Sequence, residues 1–297
     1  MQKIIVFLLF CTVALTWGTT WLSMRIAVET IPPLFATGMR FMFAAPFLMI
    51  ISYVCKKNII FPKGQRLFQF VITVFYFAIP FTMMIYSEIY VTSGLAAVIF
   101  STMPVVVLIF SALFLREKVS LRQITGLSIS IISLICIFIS EVNNKTGDIW
   151  KGVIALVFAL VCHAIIYTQC KKRDCSVSVI TFNTLPCFFA GMMLLVFGYF
   201  VEKPNVELFS LTSVLATLYL GAFAGVFGIL CYFELQKKSG AFRASLVFLV
   251  FPLIALSLEK YIYGDMLSFS SIFLVIFLIV GVFFTITPGD NSIKNNQ

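Results

Sequence analysis

Residues Tyr86 to Gly94 read Tyr-Ser-Glu-Ile-Tyr-Val-Thr-Ser-Gly, and Tyr232 to Gly240 read Tyr-Phe-Glu-Leu-Gln-Lys-Lys-Ser-Gly, with Tyr, Glu, Ser and Gly at the same places. Outward from this pair, the same offset relates Trp17 to His163, Trp21 to Tyr167 and Arg25 to Lys171. Pro104 stands thirteen residues before Glu117, and Pro252 thirteen before Asp265. A nearly constant offset along the whole chain marks an internal duplication.

The duplicated unit is apolar. Hydrophobic residues make up 61% of the chain and charged residues 11%, against about 25% charged in an ordinary soluble domain, so a water-facing surface cannot be assembled from it. Crossing about 30 Å of hydrocarbon as a helix takes about 20 apolar residues. Ten stretches qualify, at 4–28, 34–55, 67–90, 93–115, 121–140, 150–170, 179–201, 211–235, 241–258 and 267–286. The fold class expected is all-α and polytopic. Its two five-helix repeats occupy 1–145 and 146–289, with a short cytoplasmic tail at 290–297.

Basic residues test the map, because Lys and Arg accumulate in short cytoplasmic loops. With the N-terminus inside, fifteen of the 21 fall on inner segments, from Lys3 through Lys171, Lys172 and Arg173 to Lys294. Six fall outside: Arg25, Arg40, Lys145, Lys151, Lys203 and Lys260. Both termini are then cytoplasmic, and the net charge of +9 is an orientation signal that also suits anionic inner-leaflet lipid rather than nucleic acid. Five spans per half is an odd number, so the second copy enters the bilayer in the opposite sense. Inverted repeats of this kind are a recurrent plan of secondary transporters, with the solute site near the midplane where the halves meet.

These residues resemble the drug/metabolite transporter superfamily, specifically its ten-span EamA branch. The resemblance is carried by Thr16-Trp17-Gly18-Thr19-Thr20-Trp21 in the first span, by Phe35-Ala36-Thr37-Gly38-Met39-Arg40-Phe41 in the second, and by Thr92-Ser93-Gly94-Leu95-Ala96-Ala97 before Pro104. Arg116-Glu117-Lys118 ahead of Gly126 resembles the family's Gly-Glu turn, with Arg116 where Gly is usual. The resemblance covers both halves and implies export of a small metabolite, an amino acid or a toxic compound. The chain departs from the family at His163, its one histidine, where an aromatic is usual, and at Glu88 and Glu234, where a small residue is common.

An ionisable group inside a span costs about 2.5 to 3.5 kcal/mol on insertion scales and faces protein or a water-filled cavity. Arg40, Glu88, His163 and Glu234 are such groups. His163 and Tyr167 share a helix face at i, i+4. A neutral imidazole there suits a solute hydrogen bond or an interhelical one, and its protonation would couple transport to a proton gradient. Arg40, Glu88 and Glu234 are gating or coupling candidates. Glu88 is expected to pair with Arg40, which could otherwise snorkel to the outer interface, and Glu234 has a local partner in Lys237 or Lys238. Trp17, Trp21, Tyr86, Tyr167 and Tyr232 join His163 as expected substrate-binding residues, since aromatic rings give a cavity wall with donors at its edge. Pro104 and Pro252, repeat-matched, are expected hinges. Gly221, Gly225 and Gly228 in the eighth span allow close approach or bending.

The eight cysteines are dispersed, with no metal-ligand spacing and no phosphate-cradling Gly-Lys motif, so no metal, no cofactor and no enzyme activity are expected. The expectation is a permease of the bacterial inner membrane with a small-molecule substrate, protons as its possible coupling ion and no nucleic-acid partner. A monomer suffices for a central site, and a homodimer stays open. The competing expectation is an accessory or scaffold subunit, for example in lipid-carrier translocation, without solute flux of its own.

Overall fold

The computed structural model describes residues 2–117, 119–144, 148–173 and 177–287. The tail at 290–297 lies outside them. Among the described residues ten helices are long and apolar enough to cross a membrane, numbered spans one to ten in order. They are Gln2–Val28, Pro33–Val54, Arg66–Ser87, Ser93–Leu115, Leu121–Glu141, Ile149–Lys172, Val179–Glu202, Leu211–Ser239, Ala241–Tyr263 and Phe269–Ile286. Helices are what such apolar runs must form, because hydrocarbon offers the backbone no hydrogen-bond partner.

Short hydroxyl residues start several of them. Thr92, Ser178, Ser210 and Ser268 each accept from the backbone N–H three residues on, satisfying a donor that the first turn leaves orphaned. Span nine runs past the expected end at 258 to Tyr263, which puts Glu259 inside the helix rather than in a loop.

The two repeats interlock. Spans two and seven lie side by side, as do spans five and ten. Span one leaves its own repeat to pack on spans eight and nine, and span six packs on spans three and four. Small residues permit the closest approaches: a Cβ on Gly126 would fall 2.6 Å from the Gly281 carbonyl oxygen, and one on Gly38 would fall 2.8 Å from the Leu195 nitrogen.

Two spans carry widened π-type turns, over Thr73–Ala78 in span three and Tyr219–Gly228 in span eight. Both begin at the offset that relates Tyr86 to Tyr232. Such turns are rare in helices and concentrate at functional sites. Span four is interrupted at Ser101 and Thr102, directly before Pro104. Span nine continues unbroken through Pro252, and its own interruption falls earlier, at Leu246. The two repeat-matched prolines therefore stand in different local geometry.

Candidate functional site

Span three organises the centre of the molecule. Pro80 has no N–H to return to the carbonyl of Tyr76 four residues back, and the widened turn over Thr73–Ala78 opens the helix at that point. His163 of span six fills the gap, its Nε2 standing 3.0 Å from the Tyr76 oxygen. A carbonyl only accepts, so Nε2 carries the proton and donates. One turn further along span six, the Tyr167 hydroxyl meets the Tyr76 hydroxyl at 3.0 Å. The expected shared face of His163 and Tyr167 thus converges on one residue, Tyr76. The imidazole is packed by the rings of Tyr76, Phe81 and Phe100 at centroid distances of 4.7, 5.3 and 5.9 Å.

Trp17 of span one faces spans eight and nine, 4.7 Å from Tyr232 and 5.6 Å from Phe248 between ring centroids. Tyr167 keeps 42% of its surface accessible. Trp21 is buried against Phe100 at 5.2 Å, behind this layer. Tyr86 stands apart, bonded to Tyr90 at 3.2 Å near the end of span three.

Arg40 is buried, 6% exposed, with its guanidinium 4.7 Å above the Phe81 ring. It neither pairs with Glu88 nor snorkels to an interface. Both Glu88 carboxylate oxygens are buried with no hydrogen-bond partner. The residue lines a cavity of about 150 Å³ beside Arg25, so the expected Arg40–Glu88 pair is replaced by a Glu88–Arg25 neighbourhood. Glu234 has the local partner expected of it, Lys238 Nζ at 3.1 Å.

At the end of the molecule where Glu88 lies, ions bind three spans together. Arg25 of span one pairs with buried Glu259 of span nine and with Asp265 at 2.9 Å, and Ser93 of span four donates to Glu259 as well. The Arg25 guanidinium also lies 3.8 Å over the Tyr263 ring, whose hydroxyl donates to Glu29. Spans four and nine pack closely in this half, Ser93–Phe100 against Val247–Tyr263, whereas the other half of span four, Met103–Leu115, turns to spans six and ten. At the opposite, basic end, Lys171 of span six pairs with Glu117, which follows span four.

Tyr76 and Glu259 are the residues that sequence reasoning missed. Pro80, four residues after Tyr76, was the available signal for the first. Nothing local marks the second, because Arg25 and Ser93 reach it from distant parts of the chain.

If the hydrogen bond holds span six to the opened turn, His163→Ala lowers stability in detergent by about 1 to 3 kcal/mol, from the lost bond and the cavity left behind. His163→Gln, which keeps a donor, loses clearly less. Equal losses in urea or thermal unfolding would show that the bond contributes nothing.

Ten apolar spans in two interlocked five-helix repeats define a polytopic membrane protein. The model of the EamA-like transporter family matches the chain twice, over residues 4–139 and 150–287. The chain belongs to that family, and so to the drug/metabolite transporter superfamily. It is 64% identical to Protein PagO of Salmonella typhimurium (strain LT2) over 96% of this chain and 94% of that one. It is 48% identical to an uncharacterized transporter of Buchnera aphidicola subsp. Schizaphis graminum, over 99% and 98%. A solved crystal structure superposes with a TM-score of 0.67 at 15% identity, over 95% of this chain and 96% of that one, which shows the shared fold.

Proposed function

We propose that the protein is a secondary carrier of the bacterial inner membrane that exports a small organic solute by alternating access, with both termini in the cytoplasm. The observation that carries this reading is the asymmetry between its ends. Spans four and nine are drawn together on the Arg25 side, through Ser93, Glu259 and Arg25, while the basic half of span four turns away from span nine. With the basic end in the cytoplasm, the arrangement suits a carrier whose spans are tied together on the outer side. Trp17, Tyr76, His163, Tyr167 and Tyr232 form the wall of the solute path, with Trp21 packed behind it. Arg25, Glu259 and Asp265 form the outer closure, with Glu88 beside it. Pro104 is the hinge of span four, where the helix is already interrupted; Pro252 serves as a pivot without a break. One chain contains both repeats and needs no second copy to build the path.

Counterflow in proteoliposomes against a pooled library of amino acids and small metabolites tests this. Saturable exchange is expected of the native chain and a loss of at least about tenfold in Trp17→Ala, because removing a ring from the wall takes away about 1.4 kcal/mol or more of solute contact. Exchange at the native rate in Trp17→Ala would remove that residue from the path. No exchange of any compound by folded protein would favour the accessory-subunit reading. Repeating the assay with and without a pH gradient separates proton exchange from facilitated diffusion.

A further inference from the structure

Among the described residues, the charged groups of the interior and its rim are nearly all answered. Arg25 has Glu259 and Asp265, Lys171 has Glu117, and Lys238 has Glu234. The exceptions are Glu88, whose carboxylate oxygens have no hydrogen-bond partner although Arg25 lies beside it, and Arg40. Arg40 is 6% exposed, no carboxylate pairs with it, and its one hydrogen bond runs from Nη1 to the Met24 thioether sulfur at 3.7 Å, a weak acceptor. A guanidinium does not shed its proton to escape burial as lysine or histidine does. The charge therefore persists in the interior with a thioether as its acceptor and no carboxylate paired with it among the described residues, and a buried charge without a counter-ion is costly.

The surroundings fit a missing anion. Arg40 borders a narrow cleft between spans two, three, seven and eight whose free space in this conformation is about 20 Å³, room for about one water, so a solute's acid group enters as the cleft widens. Its walls combine apolar rings, Phe77 and Phe81, with glycines of the widened turn of span eight, Gly221 and Gly225. Gly221 lets the backbones of spans two and eight approach closely, and the rings offer an apolar body its contact. Phe81 links the cleft to the central wall, touching Arg40 on one side and His163 on the other.

We propose that Arg40 anchors a carboxylate on the transported solute, so that the path selects small organic acids with an apolar or aromatic body over amines and quaternary cations. This rests on the carrier reading above. The planar fork of the guanidinium matches a carboxylate with two parallel hydrogen bonds, and the same charge repels a cation at a site that offers it no carboxylate. The solute's acid group completes an ion pair that the empty protein lacks.

The test uses purified full-length protein in detergent and matched probes: phenylacetate, benzoate and phenylalanine, the amide of each, and phenethylamine and tetramethylammonium. Thermal unfolding is expected to shift upward with at least one acid and not with its amide or with either cation. Arg40→Gln is expected to melt at or above the native temperature without ligand, since an unanswered buried charge is gone, and to lose acid affinity by about 100-fold or more. Arg40→Lys keeps the charge without the fork and retains part of the affinity. Arg40 is instead a structural cation, and the proposal is overturned, if no acid shifts the native protein, if acids and amides act alike, or if Arg40→Gln melts well below the native chain. Counterflow of the same probes keeps the two readings distinguishable. Exchange of neutral or cationic compounds alone overturns the acid assignment and leaves the carrier intact. Acid binding without exchange of any compound leaves the Arg40 site standing and overturns the carrier.

Discussion

In Glu259→Gln, amide hydrogen exchange in the turn at 88–93 and in the last turns of span nine is expected to rise about 30- to 150-fold, with little change in spans five and ten. Glu259 is 2% exposed and answers both Arg25 and Ser93. Removing one partner of a buried ion pair costs about 3 to 5 kcal/mol. Arg25 is partly exposed and keeps Asp265, which reduces the loss to about 2 to 3 kcal/mol, and a local opening free energy falls by that amount. Because the affected contacts join spans one, four and nine, the population should move toward a form open on the Arg25 side. Glu234→Gln is the control: its pair with Lys238 is a half-exposed i, i+4 contact, worth about 0.3 to 0.5 kcal/mol. Unchanged exchange at 88–93 in Glu259→Gln, measured by mass spectrometry of peptic fragments, would mean that packing alone closes this face.

Gly221→Ala is expected to destabilise the protein by about 3 kcal/mol or more and to leave little monodisperse material after extraction. A Cβ at this position would stand 2.2 Å from the carbonyl oxygen of Arg40 and 3.0 Å from the Cβ of Phe43. The first of these is backbone of another span, so relief requires spans two and eight to move apart, beyond the usual 1 to 3 kcal/mol of overpacking. Gly228→Ala meets a Thr16 methyl at 2.8 Å instead. A side-chain contact yields more readily, and a loss of about 1 kcal/mol is expected. Thermal unfolding in one detergent ranks the pair. Equal stabilities would show that the contact between spans two and eight gives way easily, and would weaken the account of the cleft beside Arg40.

How much of the site could be read from the chain depended on whether its partners were local. Tyr167 follows His163 by one helical turn, so their common face was legible, and so was the pairing of Glu234 with a lysine one turn on. The carbonyl that His163 serves belongs to Tyr76, 87 positions away, and no periodicity connects the two. Glu88 and Arg40 were matched in the sequence by sign and approximate depth. The fold instead lays Arg40 against Phe81 and Met24 and leaves Glu88 beside Arg25, because lateral position around a bundle is invisible in a depth count. Gly221 was noted for its spacing, but only the neighbouring backbone of Arg40 explains why a side chain has no room there.

The sequence by itself determined the number of spans, their duplication, the opposite sense of the two halves and the family. Each follows from how many apolar residues cross a bilayer, from charge bias at their ends and from motifs read in order, all properties counted along the chain. Only the tertiary structure decided which spans are neighbours. It placed span one against eight and nine, and span six against three and four, tied one end together through Arg25, Ser93 and Glu259, and left Arg40 without a counter-ion among the described residues. Apolar helices in lipid all present similar faces, so their choice of partner rests on close packing of small residues and on a few polar contacts between distant segments, and these arise when the chain is folded.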